Sequence, residues 1–239
     1  MMLDRLFGAT IELRPWGGDA GAHLEGVAAR LEADGARPYI VPYGASSPTG
    51  ALGYAAMLFE LAGQVHERDL DVEAVVLAAG SGGTQAGMLV ALDEAGMGCE
   101  VIGIDVDAEP DRVRADVTRV AGGLAARAGL DPGRLPEARV DGGYAGPGYG
   151  MVTPSMVEAV GMAARMEGLV LDPVYTGKAF AGLMDMVRTG HFDAARSVVF
   201  VHTGGSPALF AYPSAFSAQP PPGVPGTAGR PAGTGSTGR

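Results

Sequence analysis

The chain has 239 residues, 47% of them hydrophobic but only 6% aromatic, with 39 glycines and a formal net charge of −10. That length supplies one large domain, or one domain and a remnant of a second; the acidic balance and the lack of any basic run exclude a typical nucleic-acid binder. No apolar stretch approaches the about 18–20 residues that span a bilayer, Asp4 and Arg5 make the N-terminus a poor signal peptide, and the single cysteine, Cys99, cannot form an internal disulfide, so a cytoplasmic location is expected.

In chain order, residues 9–13 (ATIEL) read as a short strand. Residues 19–34 carry Leu24, Val27, Ala28 and Leu31 at helical spacing, with Asp19 as N-cap and Gly35 as stop. RPYIVPYG (37–44) reads as a strand ending in a turn, and a longer helix opens near Pro48 and Gly50. Residues 74–78 form a buried strand that runs through a glycine loop into a helix, and VIGI (101–104) is a second buried strand, with Cys99 before it as an inert thiol. A helix over 109–129, a glycine-rich loop over 141–150 and a helix capped by Thr153 follow. The stretch 169–192 reads as a short strand, a turn and a helix, and 198–201 as a last buried strand ending in a second glycine turn. From about Ser217 the chain is Pro, Gly, Ser and Thr with little to bury, which predicts a disordered tail. Strands alternate with helices and are continuous apolar runs, so the fold class is α/β with a mainly parallel sheet covered on both faces.

The strongest chemical signal is VVLAAGSGGTQAGM. A buried strand enters Gly80, Ser81, Gly82, Gly83 and Thr84, and a helix begins at once. Glycines let the backbone approach a ligand, and free amides at a helix N-terminus attract an anion. Ser81 and Thr84 add hydroxyl donors, which favours a phosphate cup over a bare strand-to-helix turn. Met88 after Gly87 rules out a Walker A loop, and Gln85 stands where a dinucleotide loop needs its third glycine. Asp105 at the end of the next strand keeps a Rossmann-type alternative open, although a plain strand-end carboxylate is the simpler account. Two further strand-to-turn segments, DPVYTGKAFAGL and FVHTGGSPALFAY, bring Tyr175, Thr176 and Thr203. A phenol suits proton transfer or ring packing, and neutral hydroxyls suit a heterocyclic nitrogen. Each also has a structural account, as a satisfied core tyrosine or a helix cap.

GSGGTQAG, VYTGKAFAGL and HTGGSPALFAY, in that order, together with MLDRLFGA and PYIVPYGASSPTGALGY upstream, resemble the D-cysteine desulfhydrase and aminocyclopropane-carboxylate deaminase family. The resemblance covers about residues 2–212. It implies a tryptophan-synthase-β-like fold (fold type II) and pyridoxal 5′-phosphate as cofactor, with elimination or deamination of a small amino acid as the reaction. It places Ser81, Gly82, Gly83 and Thr84 on the cofactor phosphate, Thr203 near the pyridine nitrogen with Thr176 beside it, and Tyr175 at the active site as a base or substrate contact. Deaminase members carry Glu at the position of Thr176, and the threonine leans towards desulfhydrase chemistry. The resemblance further implies a homodimer at full length, a remnant of the smaller domain over 1–50, a cofactor-binding domain over 51–212 and a tail over 213–239.

The sole lysine is Lys178. It matches the family's TGK lysine, whereas the Schiff-base lysine of the family lies in an upstream segment without a counterpart here. Arginine cannot replace it, because only a primary amine forms the imine. The chain therefore reads as an N-terminally truncated, inactive form, with a phosphate-ligand binding module as the non-catalytic alternative.

Overall fold

The computed structural model describes residues 2–14, 18–193 and 196–217. Helices α1 (Met2–Leu6), α2 (Ala20–Ala33) and α3 (Pro48–Glu67) precede strand β1 (Val72–Ala79). Then come α4 (Gly83–Ala91), β2 (Glu100–Asp105), α5 (Pro110–Ala128), β3 (Arg139–Asp141), α6 (Pro154–Glu167), α7 (Thr176–Arg188), β4 (Ser197–Phe200) and α8 (Pro213–Phe216). The strands form one sheet in the order β3-β2-β1-β4, and every pairing is parallel.

The continuous apolar runs are explained by burial on both faces. Along β1, Val75, Leu77 and Ala79 join a core with α3, α4 and α5, while Ala74 and Val76 point to the other side, into a core with Ile102, Ile104 and α7 residues Ala179, Leu183 and Met186. Alternation survives in direction and vanishes in chemistry. A third cluster, around Met156, Val160, Ala163 and Leu171, seats α6 against α7. The layers press close at chosen glycines: a Cβ on Gly87 would lie 2.2 Å from the Ala51 carbonyl oxygen of α3, and one on Gly182 2.9 Å from Ile104.

Helix starts follow local chemistry. The Asp19 carboxylate accepts from the Ala22 amide, Ser47 Oγ from Gly50 and Thr153 Oγ1 from Met156. Segments 9–13, 37–42 and 169–171 do not form the expected strands; the second leads into a 3₁₀ turn at Tyr43–Ala45. An extended segment becomes a strand only where a neighbour satisfies its amides and carbonyls, and these pair with no strand among the described residues. Conversely, β3 is three residues with charged ends and gives no periodic signal, yet it pairs with β2. The predicted tail beyond Ser217 lies outside the described residues.

The topology fixes where a ligand site can form. From β1 the chain moves outward through β2 to β3, whereas β4 is added on the other side of β1. The direction of chain progression reverses between β1 and β4, and in open α/β sheets ligands bind at the carboxyl ends of strands at such a reversal.

Candidate active site

The carboxyl end of β1 enters Gly80, Ser81 and Gly82, and α4 starts at Gly83. Gly82 has φ +84°, and its missing Cβ would lie 2.9 Å from the Val117 amide nitrogen, so only glycine fits this turn. Segment 43–46 folds over the loop. Ser46 Oγ donates to Ser81 Oγ at 2.7 Å and accepts the Gly83 amide at 3.0 Å. Gly44, at φ +63°, comes so near that a Cβ there would sit 2.2 Å from Ser81 Oγ. Among the described residues, the amides of Ser81, Gly82, Thr84 and Gln85 have no protein acceptor. These are the open donors of a helix N-terminus, where the dipole adds partial positive charge. No lysine or arginine side chain lines the cup, so its affinity for an anion rests on backbone and hydroxyl groups.

The loop forms one wall of a cleft of about 430 Å³. Thr203, Gly204 and Gly205, which follow β4, form the facing wall, and Tyr43, Tyr54 and Tyr175 complete the rim. The cleft therefore lies at the β1/β4 reversal. Ser81, Gly82, Thr84, Tyr175 and Thr203 all line it, and Gly83 lies behind, tied to Ser46. Thr203 has no hydrogen-bond partner among the described residues.

Thr176 takes a different place. It is fully buried and does not line the cleft. Its hydroxyl donates to Asp172 Oδ1 at 2.7 Å and accepts the Asp172 amide at 2.9 Å. Asp172 Oδ2 accepts from the Val174 and Tyr175 amides, and Oδ1 also accepts from the Thr176 amide. The buried carboxylate thus closes the start of α7, and the Thr176 hydroxyl is part of that cap. Asp172 reaches the facing wall too: a Cβ on Gly205 would be 2.7 Å from its carboxyl carbon. A helix cap of this kind is legible in DPVYT, although the phenol and hydroxyl draw attention first.

Tyr175 meets Tyr149 in a short phenol–phenol hydrogen bond, with the rings edge to face. Burial pushes both phenols above the usual tyrosine range. The bond between them raises Tyr149 further and offsets part of the rise at Tyr175. Tyr43, beside this pair, is also raised, mainly by burial and then by Asp107. Tyr149 and Ser46 were not evident from motif reading. Both sit in glycine-rich segments, GPGYG and YGASSPTG, whose turns reveal no partner until the chain is folded.

Asp105 is fully buried and outside the cleft lining. Its Oδ1 accepts the Asp107 amide at 2.8 Å, and burial raises its pKa. It faces the interior, where a ribose hydroxyl has no access, which removes the support for the dinucleotide alternative. Lys178 is likewise fully buried; Nζ donates to the carbonyls of Ala145 at 2.7 Å and Gly148 at 3.1 Å, and burial lowers its pKa. Cys99 lines a different cleft of about 450 Å³ near the start of β1, and burial raises its thiol pKa, as expected of an inert cysteine.

The family profile described as "Pyridoxal-phosphate dependent enzyme" matches residues 1–204. This chain belongs to that family. D-cysteine desulfhydrases from Yersinia pestis (strain Pestoides F) and Yersinia pseudotuberculosis serotype O:1b (strain IP 31758) are 42% identical to it over 195 residues. These alignments cover 81% of this chain and 58% of each relative. A solved structure described as an ACC deaminase homologue aligns with a TM-score of 0.76 at 30% identity, covering 89% of this chain and 64% of its own. The chain thus spans less than two thirds of the relatives it matches. The fold is the tryptophan-synthase-β-like type of this enzyme family, with the parallel sheet at its centre. No helix among the described residues is long and apolar enough to cross a membrane.

Proposed function

We propose that this chain supplies the phosphate- and ring-holding part of a pyridoxal-phosphate site for a lyase acting on a small amino acid, with D-cysteine-type elimination as the leading reaction. The observation that carries this reading is the row of open amides at Ser81, Gly82, Thr84 and Gln85, facing Thr203 and Tyr175 across one cleft. The donor set fits the cofactor: amides and hydroxyls for a phosphate at one end, a neutral hydroxyl for a ring nitrogen at the other. When bound, the cofactor supplies an electron sink for a carbanion at the amino-acid α-carbon.

The protein groups have definable tasks. Ser81 and Thr84 orient the phosphate, while Ser46 holds the loop in shape by satisfying Gly83 and Ser81. Thr203 offers a hydroxyl rather than a carboxylate, so it does not fix a proton on a heterocyclic nitrogen. Tyr175, with a raised pKa, is protonated at neutral pH. It therefore acts as a hydrogen-bond and proton donor towards substrate rather than as the resting base. A cytoplasmic setting and a homodimeric assembly complete the proposal.

Covalent anchoring of the cofactor requires a primary amine. Lys178 is committed to two carbonyls outside the cleft, so we assign the anchoring amine to another polypeptide segment. Purified alone, the 239-residue chain should bind pyridoxal phosphate reversibly, without the absorbance band of a protein-linked cofactor, and should release no sulfide from D-cysteine. A protein-linked band abolished by Lys178→Ala would make Lys178 the anchor and overturn the assignment.

A further inference from the structure

We propose that Lys178 is a positioning residue: its ammonium ties the 145–148 turn to the start of α7 and thereby sets the Tyr149 phenol against Tyr175. The proposal rests on the assignment of the cleft as the functional site. Tyr175 is the N-cap of α7 and Lys178 lies in its first turn, three residues on. The turn bound by Lys178 leads directly into Tyr149, whose hydroxyl returns to Tyr175. The circuit closes through one side chain and one phenol.

Besides Lys178, the loop is tied to α7 by Tyr144, whose hydroxyl donates to Asp185 Oδ2 at 2.7 Å on the N-terminal side of the turn. The 141–150 loop contains neither helix nor strand beyond Asp141. Gly146 has φ +70°, and a Cβ there would strike Thr153 Cγ2 at 2.3 Å, so the path is tight as well as irregular. On the far side Tyr212 donates to the Gly150 carbonyl at 2.9 Å. On the near side two carbonyls, Ala145 and Gly148, converge on the Lys178 ammonium. One group must donate to both, and an ammonium with three N–H bonds at the end of a long stem meets that need. Among the described residues no carboxylate lies within ion-pair distance of Nζ; Asp105, Asp107 and Asp172 act on it through the field alone. Such a buried cation is retained at an energetic cost, which sets it apart from a surface lysine.

Hydrogen exchange of the purified chain, with tyrosinate absorbance titration, tests this without cofactor, so failure of pyridoxal phosphate to bind would leave the result standing. Lys178→Met keeps the stem and removes the donors. It should speed exchange of amides over 145–151, Met151 among them, by about tenfold or more, with β1 and β2 unchanged. The Tyr149 ionisation should move to lower pH, and adding Tyr149→Phe should remove that transition. Tyr149→Phe alone, the milder change, should leave the turn protected because Lys178 still holds it. Unchanged turn exchange in Lys178→Met, equal acceleration throughout the sheet, or an unmoved Tyr149 transition would overturn the proposal. If Lys178→Met does not fold, Tyr149→Phe decides: loss of turn protection there would assign the anchoring to the phenol pair instead.

Discussion

Removing the Asp172 carboxylate should destabilise the fold and loosen the cleft together. In Asp172→Ala four donors, three of them buried, lose their acceptor: the amides of Val174, Tyr175 and Thr176, and the Thr176 hydroxyl. Hydrogen bonds to a charged acceptor contribute about 1.5–3 kcal/mol each, so a simple sum gives about 6–12 kcal/mol. The sum overstates the loss. Water can enter the space left by the carboxylate, and the desolvation cost of a buried charge disappears with it. About 3–5 kcal/mol is the expected net loss, a large fraction of the about 5–15 kcal/mol that holds a domain folded. Asp172→Asn keeps one acceptor oxygen and should lose about half as much. Urea unfolding followed by far-ultraviolet circular dichroism measures both. A loss under about 1 kcal/mol in Asp172→Ala would refute the assignment of this carboxylate as the α7 cap.

Three further expectations concern the cup, the helix packing and pH. Ser46→Ala leaves the Gly83 amide without its acceptor and should cost about 1–3 kcal/mol, while weakening inorganic phosphate binding as read by equilibrium dialysis. Gly87→Ala places a methyl 2.2 Å from the Ala51 carbonyl and should cost at least about 1–3 kcal/mol in urea unfolding, because both clashing groups are backbone-fixed; unchanged stability would contradict the close α3–α4 approach. Tyr144, Tyr149 and Tyr175 all have pKa values raised in the folded state. Their contribution to stability is therefore fully present below the unfolded tyrosine value of about 10 and is lost as pH rises through the folded values. Unfolding free energy should fall more steeply above about pH 10 in the parent chain than in Tyr149→Phe.

The fold was legible in the sequence where periodicity and burial agree. Residues 74–78, 101–104 and 198–201 are apolar without interruption because helices cover both faces, and all three belong to the parallel sheet. Caps at Asp19 and Thr153 were equally readable, since a local carboxylate or hydroxyl decides them. The short segments failed in both directions. ATIEL has strand composition but no partner, and β3 has a partner but no pattern, because pairing is a long-range event. At the site, the glycine loop announced itself as contiguous sequence. Ser46 and Tyr149 did not: their importance lies in contacts made across 35 and 26 residues, and nothing in their own surroundings names the partner. Thr176 shows the reverse case, a residue next to a cleft tyrosine whose hydroxyl is turned inward by its neighbour's carboxylate.

The central claim is that the N-terminus of α4 and its glycine loop hold the phosphate of pyridoxal phosphate. The most direct test compares binding of pyridoxal phosphate and pyridoxal to the purified chain by equilibrium dialysis, with inorganic phosphate as competitor. The account predicts that pyridoxal phosphate binds at least about tenfold more tightly, a difference of about 1.4 kcal/mol, that phosphate displaces it, and that Gly82→Ala abolishes the difference. Equal binding of the two compounds, or binding indifferent to phosphate, would contradict it.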